Sequence, residues 1–190
     1  VERLNVRPLF RGHWKSLTNR AMVPDGELHA TADIPARSMT IAVPLAAGSG
    51  IAAVTTLRPW VFDITAAGLV IGIAALVIGG VLAAFGQLAA WRTQIAARDR
   101  DTEAPLRAMV DEAATHLLLA VFEAVLLVPT SMLALVLPAG PPSLIATVPL
   151  TMLCAHLVWL FILVTPRLYS AYGQVNEVAE SIDGYSHTKG

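Results

Sequence analysis

The sequence predicts an all-α integral membrane protein: a bundle of four transmembrane helices, both termini cytoplasmic, preceded by a basic amphipathic N-terminal segment. Three observations predict it. Residues 64–91 form one apolar run of 28 residues without a charge, and a bilayer core needs only about 20. Charged residues make up 14% of the 190-residue chain and hydrophobic ones 55%, whereas soluble domains carry about 25% charge. The basic residues cluster on alternate sides of the apolar runs, as the positive-inside rule requires of an even number of spans.

Residues 1–38 read as a cytoplasmic basic tail. No early apolar run of the secretory-leader kind is present. Phe10, Trp14, Leu17 and Ala21 share one face at helical spacing, with Arg7, Arg11, Lys15 and Arg20 around the other side. Pro8 suits a helix start, and Pro24-Asp25-Gly26 a turn. Two readings fit: a helix lying on the anionic inner leaflet through Arg7, Phe10, Arg11, Trp14 and Lys15, or a topology signal with no other role.

The first span, 39–57, is rich in Ala and Gly and contains Pro44. Hydropathy alone leaves it between a full span and a re-entrant segment, and the basic residues decide. Four spans with a cytoplasmic N-terminus place 12 of the 13 Lys and Arg residues inside, leaving only Arg58 outside. Three spans would put one basic cluster on the wrong side. The second span, 64–91, has Trp60 and Trp91 at its two edges as interfacial anchors. It is longer than the bilayer requires, so it tilts or continues inward through Gln94 and Ile95.

A short charged link follows, broken by Pro105, after which Asp111 and Glu112 are expected to open the third span, 113–137. The fourth span, 144–165, follows a Pro-rich external link at 138–143. The tail 167–190 is expected to continue the last helix to about residue 181, with Tyr169 and Tyr172 as inner anchors.

Two features point towards function. Gly68, Gly72, Ala75, Gly79, Ala83, Gly86 and Ala90 recur at steps of three and four, so they share one face of the second span. Small residues let helices approach closely in lipid. The stripe fits either packing within the chain or a seam between copies. The other feature is a pair of ionisable residues. Glu123 lies 17 residues before Gly140 and His156 lies 16 after it. In an antiparallel hairpin they meet at one level, each about 9 residues or 13 Å from the cytoplasmic end. An acid there is costly unless it finds a partner, water or a proton, so the two are expected to hydrogen-bond across the hairpin. His116, Glu123 and Thr130 are spaced by seven and share a face. They read as a polar or proton path, or as polar glue between helices.

Some chemistries lack their residues. The sequence has no glycine-rich phosphate loop and no His/Glu metalloprotease motif. The single cysteine, Cys154, builds neither a disulfide nor a zinc site within one chain. The arginines of 92–107 are interleaved with acids, against a nucleic-acid partner. No enzymatic activity, cofactor or metal is expected.

The basic tail, the long second span running to Trp91-Arg92, the link from Arg98 to Arg107 and the Pro166-Arg167-Leu168-Tyr169 exit together give a recognisable layout. Over residues 39–172 this architecture resembles the small four-span effector proteins of bacterial antiphage systems. The resemblance implies a self-associating effector of the bacterial inner membrane that perturbs or permeabilises the bilayer, gated by a cytoplasmic partner or small signal. The alternative is an accessory subunit packed beside a larger membrane complex, and the third reading a small proton- or ion-coupled transporter.

Overall fold

A computed structural model describes residues 7–22, 28–57, 62–96, 104–138 and 141–182. The protein is an all-α bundle with one small hairpin. The order is α1 (Arg7–Ser16), β1 (Thr18–Met22), β2 (Leu28–Ala32), α2 (Ile34–Leu57), α3 (Ile64–Ala96), α4 (Ala104–Val136) and α5 (Leu144–Ile182). A single 3-10 turn, Pro141–Ser143, precedes α5. The four long helices are each apolar enough and long enough to cross a membrane.

Local chemistry sets the helix ends. Asp33 caps α2, its carboxylate accepting from the Ala36 amide at 3.0 Å. Asp63 caps α3 in the same way through Ala66, at 2.8 Å. Each satisfies an amide that the first turn leaves without an intrahelical acceptor. Because Asp33 provides this cap, α2 starts five residues before the expected residue 39 and remains one helix through Pro44. It is one continuous helix, long and apolar enough to cross a membrane, and not a short segment.

The third span also begins earlier than expected. Pro105 occupies the first turn of α4, where its missing N–H costs nothing. Asp111 and Glu112 therefore sit two turns inside the helix rather than opening it. Asp111 instead forms an ion pair with Arg92 on α3. As expected, α3 runs past Trp91 and α5 continues well beyond 165.

The helices are arranged in a row, α3–α4–α5–α2. Contacts are extensive between α3 and α4, α4 and α5, and α5 and α2. Among the described residues, α2 and α3 have no extensive contact with each other. The α3–α4 seam uses Ala67, Ala74, Val81 and Leu88, a seven-residue repeat carried on by Ile95, all buried. At the other end of the row, Gly48 brings α2 against α5. A Cβ built there would lie 2.7 Å from Met152 Cγ and 3.3 Å from Val148 Cγ1. Beside it, Trp159 Nε1 donates to Thr40 Oγ1 at 3.0 Å.

The small-residue stripe takes no part in this packing. Gly68, Gly72, Ala75, Gly79, Ala83, Gly86 and Ala90 are all exposed. No atom lies within 4 Å of a Cβ built on Gly68, Gly72, Gly79 or Gly86. The reading of the stripe as packing within the chain is thereby corrected. The Ala67–Ala74–Val81–Leu88 repeat occupies the internal seam and turns the glycines outward.

The N-terminal amphipathic helix also needs correction. It ends at Ser16, so Ala21 falls in β1 rather than on its apolar face. β1 pairs antiparallel with β2, Thr18 opposite Ala32 and Met22 opposite Leu28. The Leu17 carbonyl closes the base of this hairpin, accepting from the Asp33 amide at 3.2 Å and from Arg37 Nε at 3.1 Å. The expected Pro24-Asp25-Gly26 turn, the Trp60 anchor and the arginines at 58, 98 and 100 lie outside the described residues.

Candidate functional site: a histidine–glutamate cluster between α4 and α5

The expected pairing across the hairpin is present. His156 Nδ1 on α5 donates to Glu123 Oε1 on α4 at 2.5 Å. The side chains are 16% and 7% exposed, respectively, so the ion pair or hydrogen bond is shielded from the surroundings. Glu123 Oε2 is buried with no hydrogen-bond partner. An orphaned carboxylate oxygen at this depth is costly.

His116, two turns before Glu123 on α4, is 1% exposed. Its Nδ1 lies 2.8 Å from the Glu112 carbonyl, which can only accept, so Nδ1 carries the proton. Nε2 then holds the lone pair and accepts from the Arg167 guanidinium of α5 at 3.3 Å. Ser16 Oγ also lies 3.3 Å from Nε2, but its proton is directed to the His13 carbonyl at 2.6 Å. Arg167 reaches α1 as well, donating to the Ser16 carbonyl at 3.1 Å.

The member that the sequence reading missed is His13, on α1. It is 4% exposed and packs edge-on against His116, ring centroids 4.8 Å apart, and against His156, at 6.0 Å. Both of its ring nitrogens are buried without a hydrogen-bond partner. Burial pushes its pKa down to about 3, and the neighbouring His116, His156 and Arg167 act in the same direction. In place His13 is neutral.

His13 is there because α1 seats on α4. Phe10 meets Phe122 edge-to-face at 5.9 Å, and Gly12 lets the helix approach Thr115, whose Cγ2 would lie 3.0 Å from an added Cβ. The sequence did hold one signal. His13 lies three residues before Ser16 and four before Leu17, and these three form the buried side of the segment. Of the expected face Phe10, Trp14, Leu17 and Ala21, Leu17 is buried, whereas Phe10 and Trp14 are 46% and 42% exposed, with Trp14 under the Arg37 guanidinium, 5.4 Å from the ring centroid. Arg7, Arg11 and Lys15 line an open cleft on the outer side of α1.

Thr130, the third member of the expected stripe, stays apart. Its hydroxyl donates to the Leu126 carbonyl of its own helix at 2.7 Å. The cluster is therefore His13, His116, Glu123 and His156, with Ser16 and Arg167 at its edge. Its imidazoles and carboxylate can take up and pass protons. Among the described residues, no group of three or more His, Cys, Asp or Glu is arranged to hold a metal ion. No protein-family model, curated protein or solved structure matches the chain.

Proposed function

We propose that this chain is a small, self-associating effector of the bacterial inner membrane that perturbs or permeabilises the bilayer, with the Glu123–His156 pair as its polar point. The observation that carries the reading is that pair itself: a carboxylate and an imidazole held between two apolar helices, with Glu123 Oε2 unpartnered. A purely structural polar bond between membrane helices contributes only about 0.6 kcal/mol. It gives little reason to place an acid there, whereas a proton or ion path requires one. The outward face of small residues on α3 supports self-association, because such faces pack closely in lipid. The distribution of basic residues supports cytoplasmic termini. A cytoplasmic partner or small signal would act on the side that carries α1.

The test is membrane potential, followed with a voltage-sensitive dye in cells producing the chain. Loss of potential with the wild type and its retention with Glu123→Gln is the expected result. Equal loss with both removes the Glu123–His156 pair from the reading, and retention with both favours the accessory-subunit reading.

A second reading is an accessory subunit of a larger membrane complex. The same outward α3 face favours it, since a different helix could cover the glycines. It predicts a harmless chain that co-purifies with larger partners and tolerates Glu123→Gln.

A further inference from the structure

We propose that α1 is a proton-released latch: it docks over the His116–His156–Glu123 cluster while His13 is neutral, and leaves when His13 is protonated. The proposal rests on the reading of the cluster as the working site and adds its regulation.

The geometry argues for it in three steps. First, the docked position has no place for a charged imidazole. An imidazolium has two N–H donors, and neither ring nitrogen of His13 has an acceptor within hydrogen-bond reach. An unpaired buried charge is far more costly than an unpaired neutral ring. Second, the surroundings oppose added positive charge. On α5 lie His156 and the Arg167 guanidinium, and on α4 lies His116, whose Nδ1 already donates to a backbone carbonyl. Arg37 at the start of α2 stacks on Trp14, and α1 itself carries Arg7, Arg11 and Lys15. The carboxylates of α4 do not offset this. Asp111 and Glu112 line the cleft beside Gly12, Lys15 and Ser16, Asp111 is paired with Arg92, and Glu123 gives Oε1 to His156 while its unpartnered Oε2 makes no hydrogen bond to His13. Third, α1 is lightly held. It is a ten-residue helix whose extensive helix contact, among the described residues, is with α4, and the bonds from Arg167 and Arg37 hold only its C-terminal end, so a charge at His13 acts against few contacts.

The sign of the pH dependence follows. Docked His13 titrates at about 3, and a released imidazole near 6.5. Docking is thus at full strength above pH 6.5 and weakens as pH falls through the window from 6.5 to 3. From about pH 7.5 to about pH 4.5 the docked-to-released ratio falls by roughly a hundredfold. Release uncovers His116 and His156 on the side α1 had covered, coupling acidification to access.

The test is the distance between spin labels on Arg11→Cys of α1 and Thr93→Cys of α3, both exposed positions. It uses the full chain, with Cys154→Ala, in lipid vesicles at about pH 7.5 and about pH 4.5. The expected result is one narrow distance at the higher pH and a broad, shifted distribution at the lower. His13→Phe, which keeps an apolar ring and cannot take a proton, should hold the narrow distance at both. If that variant fails to dock, the uncharged His13→Gln takes its place in the comparison. An unchanged wild-type distance overturns the proposal, as does acid release that persists without His13. The readout needs no flux. Release without leak retires the proposed function and keeps the latch, while leak without release does the reverse.

Discussion

Glu123 and His156 show how far two single residues constrain a membrane protein. Each lies on an apolar helix, 33 residues apart in sequence, and each is the other's hydrogen-bond partner. Replacing Glu123 with Leu leaves the His156 donor without an acceptor. The expected destabilisation is about 1–3 kcal/mol, measured by reversible unfolding in mixed micelles. The double variant Glu123→Leu/His156→Leu should be less destabilised than the sum of the single variants. The coupling should exceed the roughly 0.6 kcal/mol average for polar bonds between membrane helices, and a cycle that closes to zero would show that the two do not interact in the membrane. This pair was legible in the sequence because a hairpin fixes the level of residues equidistant from its turn. His13 was not, because nothing in a ten-residue amphipathic segment fixes the register at which it seats on another helix. Gly12 against Thr115 and Phe10 against Phe122 set that register, and both are tertiary contacts.

The elements differ in how much of their fate local sequence decides. α3 was legible from its uncharged length; its Asp63 cap was not read from the sequence. α2 was ambiguous in hydropathy, and the Asp33 cap together with its packing on α5 makes it a full-length helix. The β1–β2 hairpin was missed, since the helical spacing of Phe10, Trp14, Leu17 and Ala21 was followed past the point where Leu17 closes the strand pair. The α2–α5 contact yields a further prediction. Gly48→Val places side-chain atoms where Met152 and Val148 already sit. It should destabilise the protein by about 1–3 kcal/mol, lowering the thermal midpoint in detergent. Gly50→Val, two residues away on the same helix with no atom within 4 Å of its added Cβ, should leave the midpoint unchanged. Equal effects of the two would argue that α2 does not pack on α5 through Gly48.

At the scale of the whole molecule, the row α3–α4–α5–α2 leaves α3 as an edge whose outer side is lined with small residues. The sequence identified the stripe but could not say which way it faced. Direction depends on which face of α3 packs against α4, a tertiary choice, and the Ala67–Ala74–Val81–Leu88 face takes that contact. Leucines at Gly72 and Gly79 should therefore leave the monomer's fold intact while lowering the oligomer size found by mass measurement in nanodiscs. Unaltered oligomer size would place any seam elsewhere.

The central claim is that the buried Glu123–His156 pair is the working part of the molecule. Proton entry into vesicles containing the purified chain and an internal pH-sensitive dye tests it most directly. The account predicts acid-stimulated entry with the wild type and entry at the empty-vesicle rate with Glu123→Gln, at equal folded protein in the vesicle. Equal entry with both proteins, or none above empty vesicles with either, would contradict it.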